Sequence, residues 1–250
     1  MLYNSAMKRI LLTIEYDGTN YCGWQKQPQQ KTIQGEIEDA IFRAIGESVE
    51  IFGSGRTDAG VHALNQTAHF DLNAPVPVEK IADILNRVLP ADISIKNAQE
   101  VESDFHARFS IKKKCYLYKI YNGETKNAFL ANRMAWVKNN LDLTKMEEAS
   151  KLIVGEHDFS GFCSANTCAT NFVRRVFDIE IEKQDSYIYV SVCGSGFLYN
   201  MVRIIVGTLV DYAQGKISLE DIEIALEKGQ RSKAGQTMPA CGLYLKETIY

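Results

Sequence analysis

The sequence lacks the features that mark secreted, membrane and disulfide-rich proteins. Its six cysteines include no C-x-x-C pair, and its N-terminus has neither a basic segment nor a long apolar run. The longest apolar stretch, from Met201 to Tyr212, is interrupted by Arg203 and Asp211. It is far shorter than the roughly 20 residues that span a bilayer. These absences predict a cytoplasmic chain with reduced thiols and no membrane span.

Strong net charge and a complete set of metal ligands are also missing. The net charge of −3 argues against a nonspecific polyanion binder, so any contact with phosphates must come from local basic stretches. Cys163 and Cys168 lie near His157, but two further ligands at useful spacing are absent. We predict no metal, and a metal site at these cysteines is the minor alternative.

The strand signals occur twice along the chain. Arg9 to Tyr16 is apolar and β-branched and stops at the turn dipeptide Asp17-Gly18. Lys114 to Tyr121 ends in the same way at Asn122-Gly123. The repetition suggests two similar halves, and we place their boundary between residues 105 and 106, as domains 1–105 and 106–250.

Helical periodicity follows the first strand of each half. Isoleucines recur every four residues between Thr32 and Ile45, and Leu143 to Val154 is also amphipathic. Two further helices are predicted over 78–88 and 197–212, and two further strands over 66–72 and 187–193. Alternating strands and helices predict an α/β (α+β) fold, with a sheet covered by helices.

The segment from Gly55 to Ala63 carries the most promising chemistry. Its glycines do not complete a nucleotide-binding loop, and an aspartate such as Asp58 is ordinarily a turn or helix-cap residue. If the segment is extended, however, Arg56 and Asp58 share one face, where the guanidinium favours the ionised carboxylate. A charged carboxylate in a water-poor cleft is a competent nucleophile.

The chain resembles the tRNA pseudouridine synthases of the TruA type, and the resemblance runs in order along nearly the whole sequence. Its motifs are Tyr16-Asp17-Gly18, Gly23-Trp24-Gln25, Thr32-Ile33-Gln34, Gly55 through Ala63, Phe105-His106-Ala107-Arg108, Lys114-Cys115-Tyr116-Leu117-Tyr118, His157-Asp158-Phe159, Gly196-Phe197-Leu198, Met201-Val202-Arg203 and Gly242-Leu243-Tyr244-Leu245.

The resemblance implies an isomerase that converts uridine to pseudouridine at positions 38 to 40 of the tRNA anticodon stem-loop. It identifies Asp58 as the catalytic aspartate, Arg56 as the arginine near the target base, Tyr116 as the aromatic against the uracil, and Arg203 as a partner of the aspartate. It also implies no cofactor, a homodimer, and two RRM-like or ferredoxin-like halves that share a mostly antiparallel sheet.

The residues alone leave other interpretations open. Tyr116 and Tyr118 on one strand face are typical of core aromatics, and Arg203 could pair with a different carboxylate or reach water. The basic run of Arg108 and Lys112 to Lys119, together with Arg174-Arg175, is either a solvated surface or a set of phosphate contacts. We predict structural roles for His62 and His69.

Two other functions compete with the isomerase. One is a non-catalytic RNA-binding module with RRM-like halves, although the sequence lacks the RNP aromatic signature. The other is a hydrolase of glycosidic bonds in nucleic acid, for which an aspartate and an arginine would also be useful.

Overall fold

The structure is a computed structural model that describes residues 7–165, 167 and 169–250. It divides into two compact units. The first comprises Met1–Lys112 and Leu245–Tyr250, and the second comprises Lys113–Tyr244. The predicted halves, 1–105 and 106–250, remain a prediction about how function is divided.

The first unit is a helix-covered antiparallel sheet. Its elements are, in chain order, β1 (Lys8–Tyr16), α1 (Ile33–Ile45), β2 (Phe52–Gly53), β3 (His62–Leu72), α2 (Val78–Asn86) and β4 (Ile93–Val101), and the last strand of the chain is β10 (Leu243–Ile249). The strand order is β4-β1-β3-β10, and the short β2 also pairs with β3. Strands β1, β3 and β4 pair antiparallel.

Helix α1 shows why the local sequence folds as predicted. Thr32 precedes the helix and accepts a hydrogen bond from the Gly35 N–H, and the helix ends at a left-handed Gly46. Ile33, Ile37 and Ile41 are fully buried. Burial of each of these side chains stabilises the fold by about 1.5–3 kcal/mol, so the four-residue spacing defines the face that packs on the sheet.

The second unit repeats the order of a first strand, a helix and returning antiparallel strands. Its elements are β5 (Lys113–Tyr121), β6 (Ala135–Trp136), α3 (Leu143–Ile153), β7 (Gly155–Asp158), β8 (Val173–Gln184), β9 (Tyr187–Gly194), α4 (Met201–Ala213) and α5 (Leu219–Glu227). The strand order is β5-β9-β8-β7. All of these neighbours are antiparallel, and only β6 joins β5 in parallel.

The structure confirms the predicted mixed α/β class with mostly antiparallel strands flanked by helices. Two boundaries are clearly wrong. The strand predicted over 66–72 begins already at His62. The helix predicted over 197–212 begins only at Met201, because Asn200 has a positive φ of 60° that interrupts helical geometry. Within the described residues, no helix is long and apolar enough to cross a membrane.

The prediction of reduced thiols is wrong for two of the cysteines. Cys115 on β5 lies opposite Cys193 on β9, with 4.2 Å between their Cα atoms, and the structure joins them in a disulfide. The two residues are 78 positions apart. Strand register, which the sequence does not display, brings them together. Cys22, Cys163 and Cys241 are free thiols.

Candidate functional site

Asp58 is the first residue of a tight turn in the first unit. The Val61 N–H donates to the Asp58 carbonyl oxygen at 3.1 Å, and Gly60, the third residue of the turn, has a φ of 76°. A positive φ at this position is what a type II turn requires and what glycine tolerates best. The Asp58 side chain is partly exposed, while the neighbouring Thr57 is buried.

The backbone before Asp58 is held by the loop that follows β1. The Trp24 N–H donates to the Thr57 carbonyl oxygen at 3.0 Å, and the Tyr16 and Thr57 hydroxyls share a hydrogen bond of 2.7 Å. Gly23, with a φ of 86°, lies so close that an added Cβ would stand 2.4 Å from Thr57 O. The two loops therefore pack backbone to backbone, which fixes the peptide bond on the amino side of Asp58.

His62 holds the other end of the turn. It opens strand β3 and is 1% exposed, and its Nδ1 accepts the Gly18 N–H at 3.1 Å. The same nitrogen lies 3.0 Å from Asp17 Oδ1. These contacts tie the Asp58 turn to the end of β1, so His62 has the structural role that the sequence predicted.

Arg56 is anchored by a chain of amide side chains. Its Nε donates to Gln25 Oε1 at 3.1 Å, and Gln25 Nε2 donates to Gln34 Oε1 at 2.8 Å. Gln34 is buried on α1, and its Nε2 donates to Glu38 Oε1 and to the Ile51 carbonyl. Arg56 itself is exposed. That the side chains of Arg56 and Asp58 share one face of the segment stays a prediction.

Tyr116 and Arg203, the two other predicted site residues, lie in the second unit. Tyr116 is on β5, is 9% exposed, and meets the ring of Phe197 edge to face at 5.3 Å. Its neighbour Tyr118 is fully buried and donates to the Pro239 carbonyl at 2.6 Å, as expected for a core residue. Burial also raises the pKa of Tyr118 well above its usual range.

Arg203 is held by helix α4 and by the segment after α5. Its Nε donates to the Met238 carbonyl at 2.6 Å, and its Nη1 donates to Asn200 Oδ1 at 2.6 Å. Asp211, just over two turns later on α4, accepts the backbone and side-chain N–H groups of Gln236, each at 2.9 Å. Two nitrogens of the guanidinium are therefore held in place, by the Met238 carbonyl and by the Asn200 side chain. Its predicted pairing with Asp58 stays a prediction.

The alternative metal site at Cys163 and Cys168 lies only partly within the described residues. Cys168 lies outside the described residues. Elsewhere in the described chain, no group of three or more His, Cys, Asp or Glu side chains could hold a metal ion.

Sequence reasoning did not anticipate the frame around the turn. Trp24, Thr57 and Gln34 are ordinary residues in sequence, and only their motifs, Gly23-Trp24-Gln25 and Thr32-Ile33-Gln34, were singled out. A buried amide on an otherwise apolar helix face was the available signal, because a buried polar group requires partners. Gln34, at 4% exposure, fits that rule.

Comparison with known proteins identifies the family of this chain. The tRNA pseudouridine synthase family matches residues 12–110 and 149–250. The chain belongs to this family. The prediction of an isomerase of the pseudouridine synthase class is thereby confirmed.

Relatives match over nearly their full length. The tRNA pseudouridine synthase A of Caldicellulosiruptor saccharolyticus is 50% identical over 244 residues, which cover 98% of this chain and 100% of that protein. The proteins of the same name from Acetivibrio thermocellus and Brevibacillus brevis are 48% and 46% identical, with the same coverage. A solved structure titled "Crystal Structure of a Cbf5-Nop10-Gar1 Complex" is 14% identical with a TM-score of 0.36, over 94% of this chain and 57% of that one.

Proposed function

We propose that this pseudouridine synthase converts uridine to pseudouridine in the anticodon stem-loop of tRNA, at positions 38 to 40, with Asp58 as its catalytic carboxylate. The observation that carries the proposal is the Asp58 turn, which presents a partly exposed carboxylate on a backbone held from both sides. Such fixed placement is what catalysis by a single side chain requires. A residue that served only to open a turn would not need a backbone held on both sides.

The reaction is an isomerisation without a cofactor. The N1–C1′ glycosidic bond of uridine breaks, the detached ring rotates, and a C5–C1′ bond forms; C5 loses a proton and N1 gains one. Asp58 assists by attacking either C1′ of the ribose or a ring carbon of the uracil. The target nucleotide must leave its stack to reach the carboxylate, as for other enzymes that act on a base.

The other three predicted residues serve the flipped nucleotide. Tyr116, already oriented by Phe197, packs against the uracil. Arg56 contributes a cation held by Gln25, and Arg203 pairs with Asp58. Both guanidinium groups favour the ionised form of a nearby carboxylate. The exposed part of the basic run that begins at Arg108 contacts RNA phosphates.

The enzyme acts as a homodimer in the cytoplasm, where its tRNA substrate is found. This part of the proposal is supported by the family resemblance. Light scattering of the purified chain measures the mass in solution, and a monomer at working concentration with full activity contradicts the dimer.

The decisive experiment compares Asp58→Asn with the wild type on unmodified anticodon stem-loop RNA. Loss of the charged nucleophile should lower the rate of pseudouridine formation by at least about 1,000-fold, while RNA affinity changes little because the side chain keeps its shape. Chemical detection of pseudouridine at each uridine reports both the reaction and its position.

Asp39→Asn is the matched control, since Asp39 is an exposed carboxylate on α1 that pairs only loosely with Arg43 at 3.6 Å. It should retain wild-type activity. Product analysis separates the competing functions: a hydrolase releases free uracil, and a binding module retains RNA without changing it. Near wild-type pseudouridine formation by Asp58→Asn would falsify the catalytic role.

A further inference from the structure

The turn that follows β4 displays an aromatic ring to solvent. Phe109 is 75% exposed, and Phe52 on the adjacent β2 is 42% exposed. A single exposed phenylalanine needs no explanation, because much of any protein surface is apolar. The setting of Phe109 is different, since it ends a series of aromatic rings that contact one another.

The series begins inside the first unit and reaches the surface. Buried His69 stacks on Phe52 at 5.3 Å, with 26° between the ring planes, and lies 4.7 Å from His106. His106 in turn lies 4.4 Å from the ring of Phe109, tilted by 36°. Phe109 is therefore the outermost ring of a continuous aromatic surface.

Hydrogen bonds make this turn rigid. The Phe109 N–H donates to the His106 carbonyl at 3.1 Å, and the Arg108 N–H donates to His106 Nδ1 at 3.1 Å. The Ala107 N–H donates to His69 Nδ1 at 3.2 Å, and the Tyr250 hydroxyl donates to the Ala107 carbonyl at 3.0 Å. The exposed ring is thus pre-organised, which lowers the entropic cost of binding a partner.

Positive charge accompanies the ring. The guanidinium carbon of Arg108 lies 5.6 Å from the centroid of Phe109, and Lys112 is exposed a few residues later. The sequence contains no aspartate or glutamate between Phe105 and Gly123. An aromatic face beside a guanidinium matches the two parts of a nucleotide, its base and its phosphate.

We propose that Phe109 and Arg108, with Phe52 as a flanking ring, form a platform on which one unpaired base of the RNA substrate stacks. The platform is a binding site in addition to the four residues assigned to the target uridine, and it rests on the proposed function because that function supplies the RNA. A second copy of this chain is the less suitable occupant, since a two-fold contact at this turn would bring identical guanidinium groups together.

The test measures the dissociation constant of unmodified tRNA and of its anticodon stem-loop for matched variants. Phe109→Ala should weaken binding of at least one of these RNAs by about 5- to 140-fold, which corresponds to the 1–3 kcal/mol of a stacked base. Phe109→Trp should bind as well as the wild type, because it keeps an aromatic face. Phe42→Ala, which removes a 54% exposed phenylalanine from α1 in the same unit, should have no effect.

Arg108→Ala should lower the slope of log affinity against log salt by about 0.7, as expected for one lost contact to a single-stranded phosphate. Arg108→Lys should restore most of that slope. Ultraviolet crosslinking followed by mass spectrometry should place an RNA adduct within residues 105–112 of the wild type.

Binding by Phe109→Ala within twofold of the wild type for both RNAs overturns the platform. A change of oligomeric mass in that variant also overturns it, because the ring would then serve a contact between copies. The proposed function fails separately: a wild-type protein that makes no pseudouridine, while Phe109→Ala still loses RNA affinity, disproves the reaction and leaves the platform standing.

Discussion

Near the two ends of strand β3, histidines hold neighbouring loops by the same kind of hydrogen bond in different electrostatic surroundings. At one end, His62 Nδ1 accepts the Gly18 N–H beside the Asp17 carboxylate. At the other end, His69 Nδ1 accepts the Ala107 N–H beside His106. The first histidine supports a turn that presents a carboxylate, and the second supports a turn that presents an aromatic ring.

The difference shows that burial alone does not fix the electrostatic surroundings of a histidine; the neighbouring residues do. Burial is the main reason that the pKa of His69 falls to about 4, and the charges of His106 and Arg9 lower it further. A neutral ring suits this position, because Nδ1 must keep a lone pair for the Ala107 N–H. At His62 the nearest charge is instead a carboxylate, 3.0 Å away.

The largest expected effect tests whether the close packing beside the Asp58 turn is needed for catalysis. Gly23→Ala places a Cβ 2.4 Å from Thr57 O, so one of the two loops must move. A displacement of about 1 Å at a catalytic group can cost about 100-fold in rate. We expect a loss of that order in the kcat for pseudouridine formation, together with about 1–3 kcal/mol of folding stability.

Gly46→Ala is the control for backbone strain alone. Gly46 has nearly the same φ, 83° against 86° for Gly23, but an added Cβ there meets nothing within 4 Å. It should lose about 1 kcal/mol of stability and keep full activity. Equal kcat values for the two variants would show that the close packing beside Thr57 has no catalytic consequence.

A smaller effect should distinguish the functional roles of the two ends of β3. His62→Gln loosens the Asp58 turn and should lower kcat by about tenfold with little change in RNA affinity, because ground-state contacts elsewhere persist. His69→Gln loosens the Phe109 turn and should weaken RNA affinity by about threefold while kcat is kept. Single-turnover kinetics at saturating enzyme and direct binding measurements supply the two quantities.

The contrast between the ends requires that the two variants change different quantities. If both lower kcat alone, the Phe109 turn belongs functionally with the catalytic loop. If both lower affinity alone, His62 does not position Asp58.

The smallest effect is on the pH dependence of stability. The pKa of His69 is about 4 in the folded chain and near 6.5 when unfolded. Between these values the unfolded state binds more protons, so His69 makes the free energy of unfolding decrease as the pH falls from about 6.5 to about 4. Below pH 4 both states are protonated, and this contribution changes no further.

Urea unfolding of the wild type and of His69→Gln across pH 4 to 7 measures this contribution. The variant should show the shallower decrease over that interval, whatever its absolute stability. Parallel curves for the two proteins would mean that His69 has the same pKa in the folded and unfolded states.

Much of the fold could be predicted because its signals are local. Periodicity and caps located α1 and α3 within a residue or two of their observed ends, and the turn dipeptides Asp17-Gly18 and Asn122-Gly123 marked where β1 and β5 end. Helix α5 and strands β2, β4, β6, β7, β8 and β10 were not predicted. β8 is exposed at most of its positions, so its side chains show little apolar alternation to detect.

The candidate site likewise has one part that could be predicted from the sequence and one that could not. The motif around Asp58 is contiguous and includes Arg56, so it could be found in the sequence. The anchors of the turn are not contiguous: Tyr16, Trp24 and His62 come from three separate segments. Sequence spacing does not show that these segments meet, because strand pairing and loop packing bring them together.

The sequence by itself determined the family, the mixed α/β class and the aspartate to examine first, since each depends on residue identity and local order. Only the tertiary structure decided which groups hold the Asp58 turn, that Cys115 faces Cys193, and that Phe109 ends a series of aromatic rings in contact. The physical reason is that hydrogen bonds, disulfides and ring contacts depend on distances between segments. These distances are set by strand register and packing.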